Sequence, residues 1–424
     1  MVLQCWRYPH LFTTMIGRAL AFLLMCLPAA AATYYVSPSG NDGNNGLGPD
    51  ASHGTNRPKL TPANVLATVS AGDTIYFAPG KYPCTETLAD NNILIYADPQ
   101  NEQGFKDGSG NTLAKGLVIL TGYESGDSSA GTGAPVITAN GIDGWTLRGF
   151  YIHGTPKNAC ITMTDLASTG VTIEQCAIIG NGAGGYGINL LVPAGTDMDL
   201  TVRRCIIRAS GNSAANCIST IHQQHSANWD ADVRIENCVM ENQNYNTVGF
   251  LQSGGSGSGK MGGWEMVGCS LYGSYILRFQ GGFSTSVPFL ARNCYMECGD
   301  YAVVVQTSNG EVDVDYCAIN GGHGHSYNLD AGTSNFALGA NNKYFTTAAR
   351  LDHGAARLAG FGARPEYSIT SESPLRGAGA PGYVLSVDLF GRARPSPNSI
   401  GGVEYFATDP IGGLTVGTIV VGTP

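Results

Sequence analysis

Five short segments of this 424-residue chain recur, and all but the first end in polar residues that could do chemistry together. They are "YGINLL" at Tyr186, "NCISTIHQ" at Asn216, "NTVGFLQ" at Asn246, "SYILRFQ" at Ser274 and "DYAVVVQ" at Asp300. If Ile221, Leu251, Phe279 and Val305 face a core, His222, Gln252, Gln280 and Gln306 face outward at one level. Arg278 then lies one step earlier, in the coil beside Gln252. The connecting stretches "QQHSANWDAD" and "QSGGSGSGKMGG" add His225, Trp229, Asp230 and Lys260 near the same face. An arginine can neutralise a carboxylate, a histidine or lysine can take a proton, and amides can hold hydroxyls. The competing reading is structural: stacked glutamines satisfy one another as an amide ladder, and a single His222 is an ordinary surface histidine.

A repeat must position these residues. "WTLRGFYIHG", "VTIEQCAIIG", "LTVRRCIIRA", "VRIENCVMEN", "WEMVGCSLYG", "FLARNCYMEC" and "VDVDYCAING" share one template. Aligned on Phe150, Cys176, Cys205, Cys238, Cys269, Cys294 and Cys317, each has apolar residues five before, three before and two after. Alternation before the template position predicts a strand with one buried face, the odd step to the cysteine predicts a bend, and a second short strand follows. Template spacings of 26, 29, 33, 31, 25 and 23 residues are those of a solenoid, whose units bury their apolar faces only by stacking. With the five segments above as a third strand, the fold is a right-handed parallel β-helix with three short strands per coil.

Stacking places the cysteines in one internal column. A disulfide or metal column is one reading; a column of small hydrophobes is the favoured one. In-register Cβ atoms run parallel, which suits a disulfide poorly, and the spacing has no CxxC-type pairing. Cys294 and Cys298, in one coil, are the best local disulfide pair. Arg148, Glu174, Arg203 and Glu236, two before successive template positions, alternate in sign on the exposed side and read as a register device.

Composition agrees. Charged residues are 13% of the chain and glycines number 59, which suits short strands and tight turns rather than disorder. A net charge of -9 argues against general nucleic-acid binding. The N-terminus reads as a secretory signal, with Arg18 before "ALAFLLMCL" and cleavage after Ala32; Met15 is an alternative start. That run is too short to span a membrane, and no later segment is long and apolar enough. The expected organisation is a signal at 1–32, a β-helix at 33–407 and a tail at 408–424, forming a secreted, extracellular or cell-surface monomer.

"LTPANVLATV" at Leu60 reads as a short N-terminal capping helix. With "TYYVSPSGNDGNNGLGP" before it and "GDTIYFAPGKY" after it, the chain resembles secreted bacterial β-helix proteins of the pectate-lyase-like superfamily. "YSITSESPLRGAG" and "VDLFGRARPSPNSIGGVEY" resemble that family's closing segment. The resemblance implies a site on the outer face of one strand column, and its substrate class implies a polysaccharide partner. A lyase cleaving a uronate glycan by β-elimination would use Arg278 to neutralise the carboxylate and His222 or Lys260 as base. Gln252, Gln280, Gln306, His225 and Trp229 would bind sugar. No cofactor is required by these residues. Calcium is a second route to neutralisation, at Asp313 and Asp315 beside Arg292, although a solvated acidic edge is the favoured reading there. "GGHGHSYN", with His323 and His325, superficially resembles a polygalacturonase element, but the chain has no "NTDG" and no "DD". It also lacks GxSxG, GxxxxGK[ST] and HExxH. The alternative function is a non-catalytic glycan-binding or cell-surface structural β-helix.

Overall fold

The computed structural model describes residues 31–52, 54–122, 134–139, 141–154, 159–164, 168–180, 186–191, 197–209, 218–223, 230–253, 260–261, 263–280, 284–285, 288–306, 312–321, 327–329, 336–345, 375–383, 385–389, 391–396 and 398–402. For 164, 191, 197, 218–223, 230–231, 243–253, 260–261, 279–280, 284–285, 299–300, 305–306, 321, 327–329, 336–338 and 345 only the backbone is described. The expected signal segment, up to residue 30, lies outside the described residues, as do His225, Trp229, His323 and His325.

Each template copy begins with a strand of the first face. Eleven such strands, from Thr33–Val36 to Phe336–Leu338, form one parallel sheet in chain order. Its register is that of the template: Ile173, Val202, Ile235, Met266, Ala291 and Val314, each three before a cysteine, pair coil to coil. All six are fully buried. The residues two after the template position form a second buried row, Ile152, Ile178, Ile207, Met240, Leu271, Met296 and Ile319, on the second face. Fully burying one such side chain contributes about 1.5–3 kcal/mol, and stacking repeats that gain at every coil.

The third face comprises Glu86–Thr87, Ile137–Thr138, Ile161–Thr164, Ile188–Leu191 and Ile218–Gln223, then the later parts of Val239–Ser253, Ser270–Gln280 and Tyr295–Gln306, and Tyr327–Leu329. Those three long strands run through both the second and third faces and join them into one 16-stranded sheet. The architecture is a parallel β-helix with three strands per coil, and parallel crossovers of this kind take the right hand.

The bend expected before the template residue is a single left-handed residue. Gly149, Gln175, Arg204, Asn237, Gly268, Asn293 and Tyr316 have φ between 51° and 86°, one before each template position. Placing bulky residues in this region is unfavourable for L-amino acids, so the surrounding coil must hold the turn. The cysteines contribute to that. Cys205 Sγ lies 3.3 Å from Arg203 O in its own coil and 3.5 Å from Ile173 O in the coil before. Cys176, Cys238, Cys269, Cys294 and Cys317 repeat the same pair of contacts, at 3.3–3.7 Å. Each thiol is therefore a small hydrophobe with a weak donor directed at backbone carbonyls of its own and the preceding coil. All nine described cysteines are free and buried, so the Cys294–Cys298 disulfide is not formed; Cys298 Sγ instead lies 3.4 Å from Asn320 O. Burial pushes the Cys176, Cys238, Cys269 and Cys317 thiols well above their ordinary range.

On the outer side of the first face, Glu174 lies between Arg148 at 3.5 Å and Arg203 at 2.7 Å. The alternation continues differently at the next coil, where Glu236 pairs with Arg234, which also reaches Glu265 at 2.6 Å.

A helix forms at Pro62–Leu66, with Thr61 as its N-cap and proline in its first turn, and it buries Val65. Near the other terminus, residues 375–402 lie along the side of the coils, over the bend between the first two faces. Asn293 Nδ2 donates to Tyr383 O at 3.0 Å, and Asn293 Oδ1 accepts from Ala380 N at 2.6 Å. Arg394 donates to Asn237 Oδ1 at 2.7 Å, and Asn237 Nδ2 donates to Val387 O at 2.7 Å. Leu375, Leu389 and Ile400 pack on Val239, Tyr272, Tyr295 and Ala318. The asparagines at the left-handed bends are thus also the anchors of this segment. Among the described residues, no helix is long and apolar enough to cross a membrane.

Candidate functional site on the third face

The third face is built by alternation. Ile161, Met163, Ile188, Leu190, Leu277 and Val303 are fully buried in the central core. Strand geometry therefore turns the intervening residues outward. One register row runs coil by coil through Thr138, Thr162, Asn189, Ser219, Gly249, Arg278, Val304 and Asn328, and Thr138, Thr162, Asn189 and Arg278 are its polar members with described side chains.

Arg278 sits in this row half-buried, its guanidinium carbon 5.0 Å from the ring centroid of Tyr275. Tyr275 pairs in register with Tyr301, and the two rings stack at 6.2 Å with an interplanar angle of 23°. A guanidinium close to an aromatic ring is attracted to its π face. The guanidinium group is also the side chain that takes a carboxylate through two parallel hydrogen bonds. Gln280 follows two residues later along the strand, and Gln306 pairs with it in register.

The register corrects the expected arrangement of the other residues. Phe279 pairs with Val305 on one side and Phe250 on the other, whereas Ile221 pairs with Leu251 and Leu251 with Gln280. Ile221 and Leu251 therefore share the level of Gln280 and Gln306, not that of Phe279 and Val305. Gln252 pairs with His222 one step further along, so the three glutamines do not form one ladder. Arg278 does lie in the coil beside that of Gln252, but its register partner there is Gly249, three residues before Gln252. The cause is two register shifts, between Asn242 and Asn246 and between Gly273 and Tyr275, that offset the third face from the cysteine template. His222 and Arg278 are two strands apart across the sheet and three residues apart along it, which separates their backbones by about 14 Å. Lys260, in the short strand Lys260–Met261, pairs with Ser284 in a separate two-stranded sheet. The side chains of His222, Gln252, Lys260, Gln280 and Gln306 lie outside the described residues.

Tyr275 and Tyr301 were not singled out in the sequence. A signal existed, since both precede a buried dipeptide of the third face. It was blurred because Asn246, Tyr275 and Tyr301, which share one level, follow their cysteines by eight, six and seven residues.

The calcium route finds no support in the donor set. Asp313 Oδ2 accepts from Arg292 at 2.5 Å, and Asp315 accepts from the backbone N–H groups of Tyr316 and Asn341 and from Asn341 Nδ2 at 2.9–3.0 Å. Both carboxylates are committed to internal donors, and among the described residues no three His, Cys, Asp or Glu side chains gather as metal ligands. These two residues do not fit a calcium cradle, which needs several oxygens turned to one point.

No protein family and no curated protein matches the chain by sequence. Among solved structures, pectate lyase Pel9A superposes with a TM-score of 0.50 at 14% identity, over 89% of this chain and 97% of that one. A pectin methylesterase from Aspergillus niger is similar over 75% of this chain and 84% of its own, at 14% identity and a TM-score of 0.28. GH136 lacto-N-biosidase from Eubacterium ramulus is similar over 79% of this chain and 70% of its own, at 12% identity and a TM-score of 0.32. The Pel9A superposition shows the fold: this chain is a parallel β-helix.

Proposed function

We propose that this protein acts on an acidic, uronate-containing polysaccharide, as a lyase working by β-elimination. The observation that carries the reading is Arg278, set over Tyr275 on the outer third face beside the stacked Tyr301. Its fold relative Pel9A is a pectate lyase. In such a reaction a base removes the proton from the carbon beside the carboxylate. The carbon–carbon double bond forms as the glycosidic carbon–oxygen bond breaks, and the leaving oxygen takes a proton. Arg278 would neutralise the carboxylate and stabilise the charge that develops on proton removal. His222 or Lys260 would take the proton, and Gln252, Gln280 and Gln306, with His225 and Trp229 from the loops, would hold sugar.

The separation of His222 from Arg278 by about 14 Å at the backbone favours a second reading, a glycan-binding β-helix without catalysis. One experiment separates them. The full chain is mixed with pectate, alginate and glycosaminoglycans, with and without calcium, while the ultraviolet absorbance of an unsaturated uronate is followed. A lyase gives a rising signal, which Arg278→Ala lowers by about a hundredfold or more in kcat/KM. No signal on any polymer, with retention on an acidic glycan column intact, assigns the protein to the binding reading.

A further inference from the structure

The bend between the first two faces carries a charge the fold does not match. Among the described arginines, only the guanidinium of Arg204 has no hydrogen bond, ion pair or ring contact. Nε is its one buried nitrogen without a partner, and the residue as a whole is half-buried, so the Nη end of the group is open to solvent. Arg204 is the left-handed residue before Cys205, with φ 53°. The corresponding residues of the coils on either side use their side chains. Gln175 Oε1 accepts from Arg148 Nε at 2.6 Å, and Asn237 bonds Val387 O and Arg394, each at 2.7 Å. The Arg204 side chain holds no part of the fold. The segment 375–402 passes it with Gly391, where a Cβ would stand 3.3 Å from Arg204 Nη1, so the chain leaves the guanidinium room.

The neighbouring charges have the same sign. Arg203 precedes Arg204, and Arg148 lies two coils back on the same face; they share the single carboxylate of Glu174, at 2.7 Å and 3.5 Å. The next carboxylates on that face, Glu236 and Glu265, are both taken by Arg234. Three guanidiniums therefore meet one carboxylate at this corner. Burial holds the Arg204 pKa below its ordinary value, and the charges of Arg148 and Arg203 add to that against the pull of Glu174. A bound anion offsets both. We infer that this corner binds a phosphate group, taken by the Nη edge of Arg204 with Arg148 and Arg203 as flanking charges. Near neutral pH a phosphate ester carries about 1.5–2 negative charges and three acceptor oxygens, where a carboxylate brings one charge and two oxygens. The planar guanidinium fork matches phosphate through paired hydrogen bonds. The bend is on the opposite side of each coil from the third face, so the inference is independent of the polysaccharide reading.

The test is calorimetric titration and thermal unfolding of the full chain with inorganic phosphate, with glucose phosphorylated on its primary hydroxyl and with glucuronate, against sodium chloride at matched ionic strength. Inorganic phosphate binds and, at about a hundredfold excess over its Kd, raises the melting temperature by about 3 °C; chloride does not. Glucuronate binds about tenfold more weakly or less. Arg204→Asn weakens phosphate binding by about tenfold or more. Asparagine accepts the left-handed conformation, so this variant melts no lower than wild type in the absence of phosphate and separates lost binding from lost folding. Binding of the phosphorylated glucose as well identifies a phosphorylated sugar as the source of the group, and binding of inorganic phosphate alone identifies the free ion. If Arg204→Asn binds phosphate like wild type, or if wild type does not bind it at all, the site is wrong. Loss of phosphate binding in Arg278→Ala with Arg204→Asn unaffected also overturns it, by placing the anion on the third face.

Discussion

The cysteine-lined bend and the third face are made from the same coils, yet they treat their polar groups in opposite ways. At the bend most polar groups are paired, with the buried Arg204 Nε as an exception. The thiols reach two carbonyls each, the asparagines anchor residues 375–402, and Glu174 is held between two arginines. On the third face, Thr162 and Asn189 keep buried oxygens without partners and Arg278 is posed over a tyrosine. A satisfied network rigidifies, whereas an unsatisfied one costs stability unless something else supplies the missing partner. The difference lies within a single repeat, between a bend whose polar groups are mostly paired and a face where two are not.

Raising the pH should break the scaffold first, and with the largest effect. The Cys176, Cys238, Cys269 and Cys317 thiols are raised by burial above the ordinary value of about 9. A thiol with a folded pKa above its unfolded one stabilises the fold at every pH below the unfolded value. That stability is lost as pH rises from there toward the folded value. The melting temperature should therefore be flat through neutral pH and fall steeply above pH about 9, and a thiol reagent should label the column only on unfolding. A melting temperature that stays flat into strong alkali would show that the column is not the scaffold's weak point.

Asn293→Ala sharpens the same contrast from the bend. It removes both anchors to Tyr383 and Ala380 and puts a Cβ-bearing residue with no local hydrogen bond at φ 56°. The expected loss is about 3–5 kcal/mol in denaturant unfolding. Asn293→Gly should recover about 1 kcal/mol of it, because glycine accepts the left-handed conformation. Neither variant should change glycan binding if the two regions are independent.

Arg148→Ala probes the smallest contribution. Its side chain is half exposed and its contact with Glu174 is 3.5 Å, so the loss should be about 1 kcal/mol or less and should shrink with added salt. A larger loss would make the charged row a structural element in its own right.

The repeat was legible because its information is local. Apolar residues at fixed offsets from Cys176, Cys205 or Cys238 dictate which side of a strand is buried, and in-register stacking follows because one row of side chains must meet the next. The left-handed residue before each cysteine was announced by the odd step in the pattern, and at Gly149, Asn237, Gly268 and Asn293 by residue type as well. Arg278 was legible as an outward cation for the same reason.

The third-face register was decided by tertiary structure. The connections from the cysteine to the third strand differ in length between coils, and only pairing with both neighbouring strands determines where the extra residue is absorbed. A slip of one residue exchanges the two sides of a strand, so the level of Gln252 against Gln280 could not be read from the words "FLQ" and "RFQ". The stacking of Tyr275 on Tyr301, the seat of residues 375–402 on the bend asparagines, and the unpaired oxygens of Thr162 and Asn189 are of the same kind. Each depends on which residue a neighbouring coil or a distant segment brings alongside, and no single stretch of sequence contains both partners.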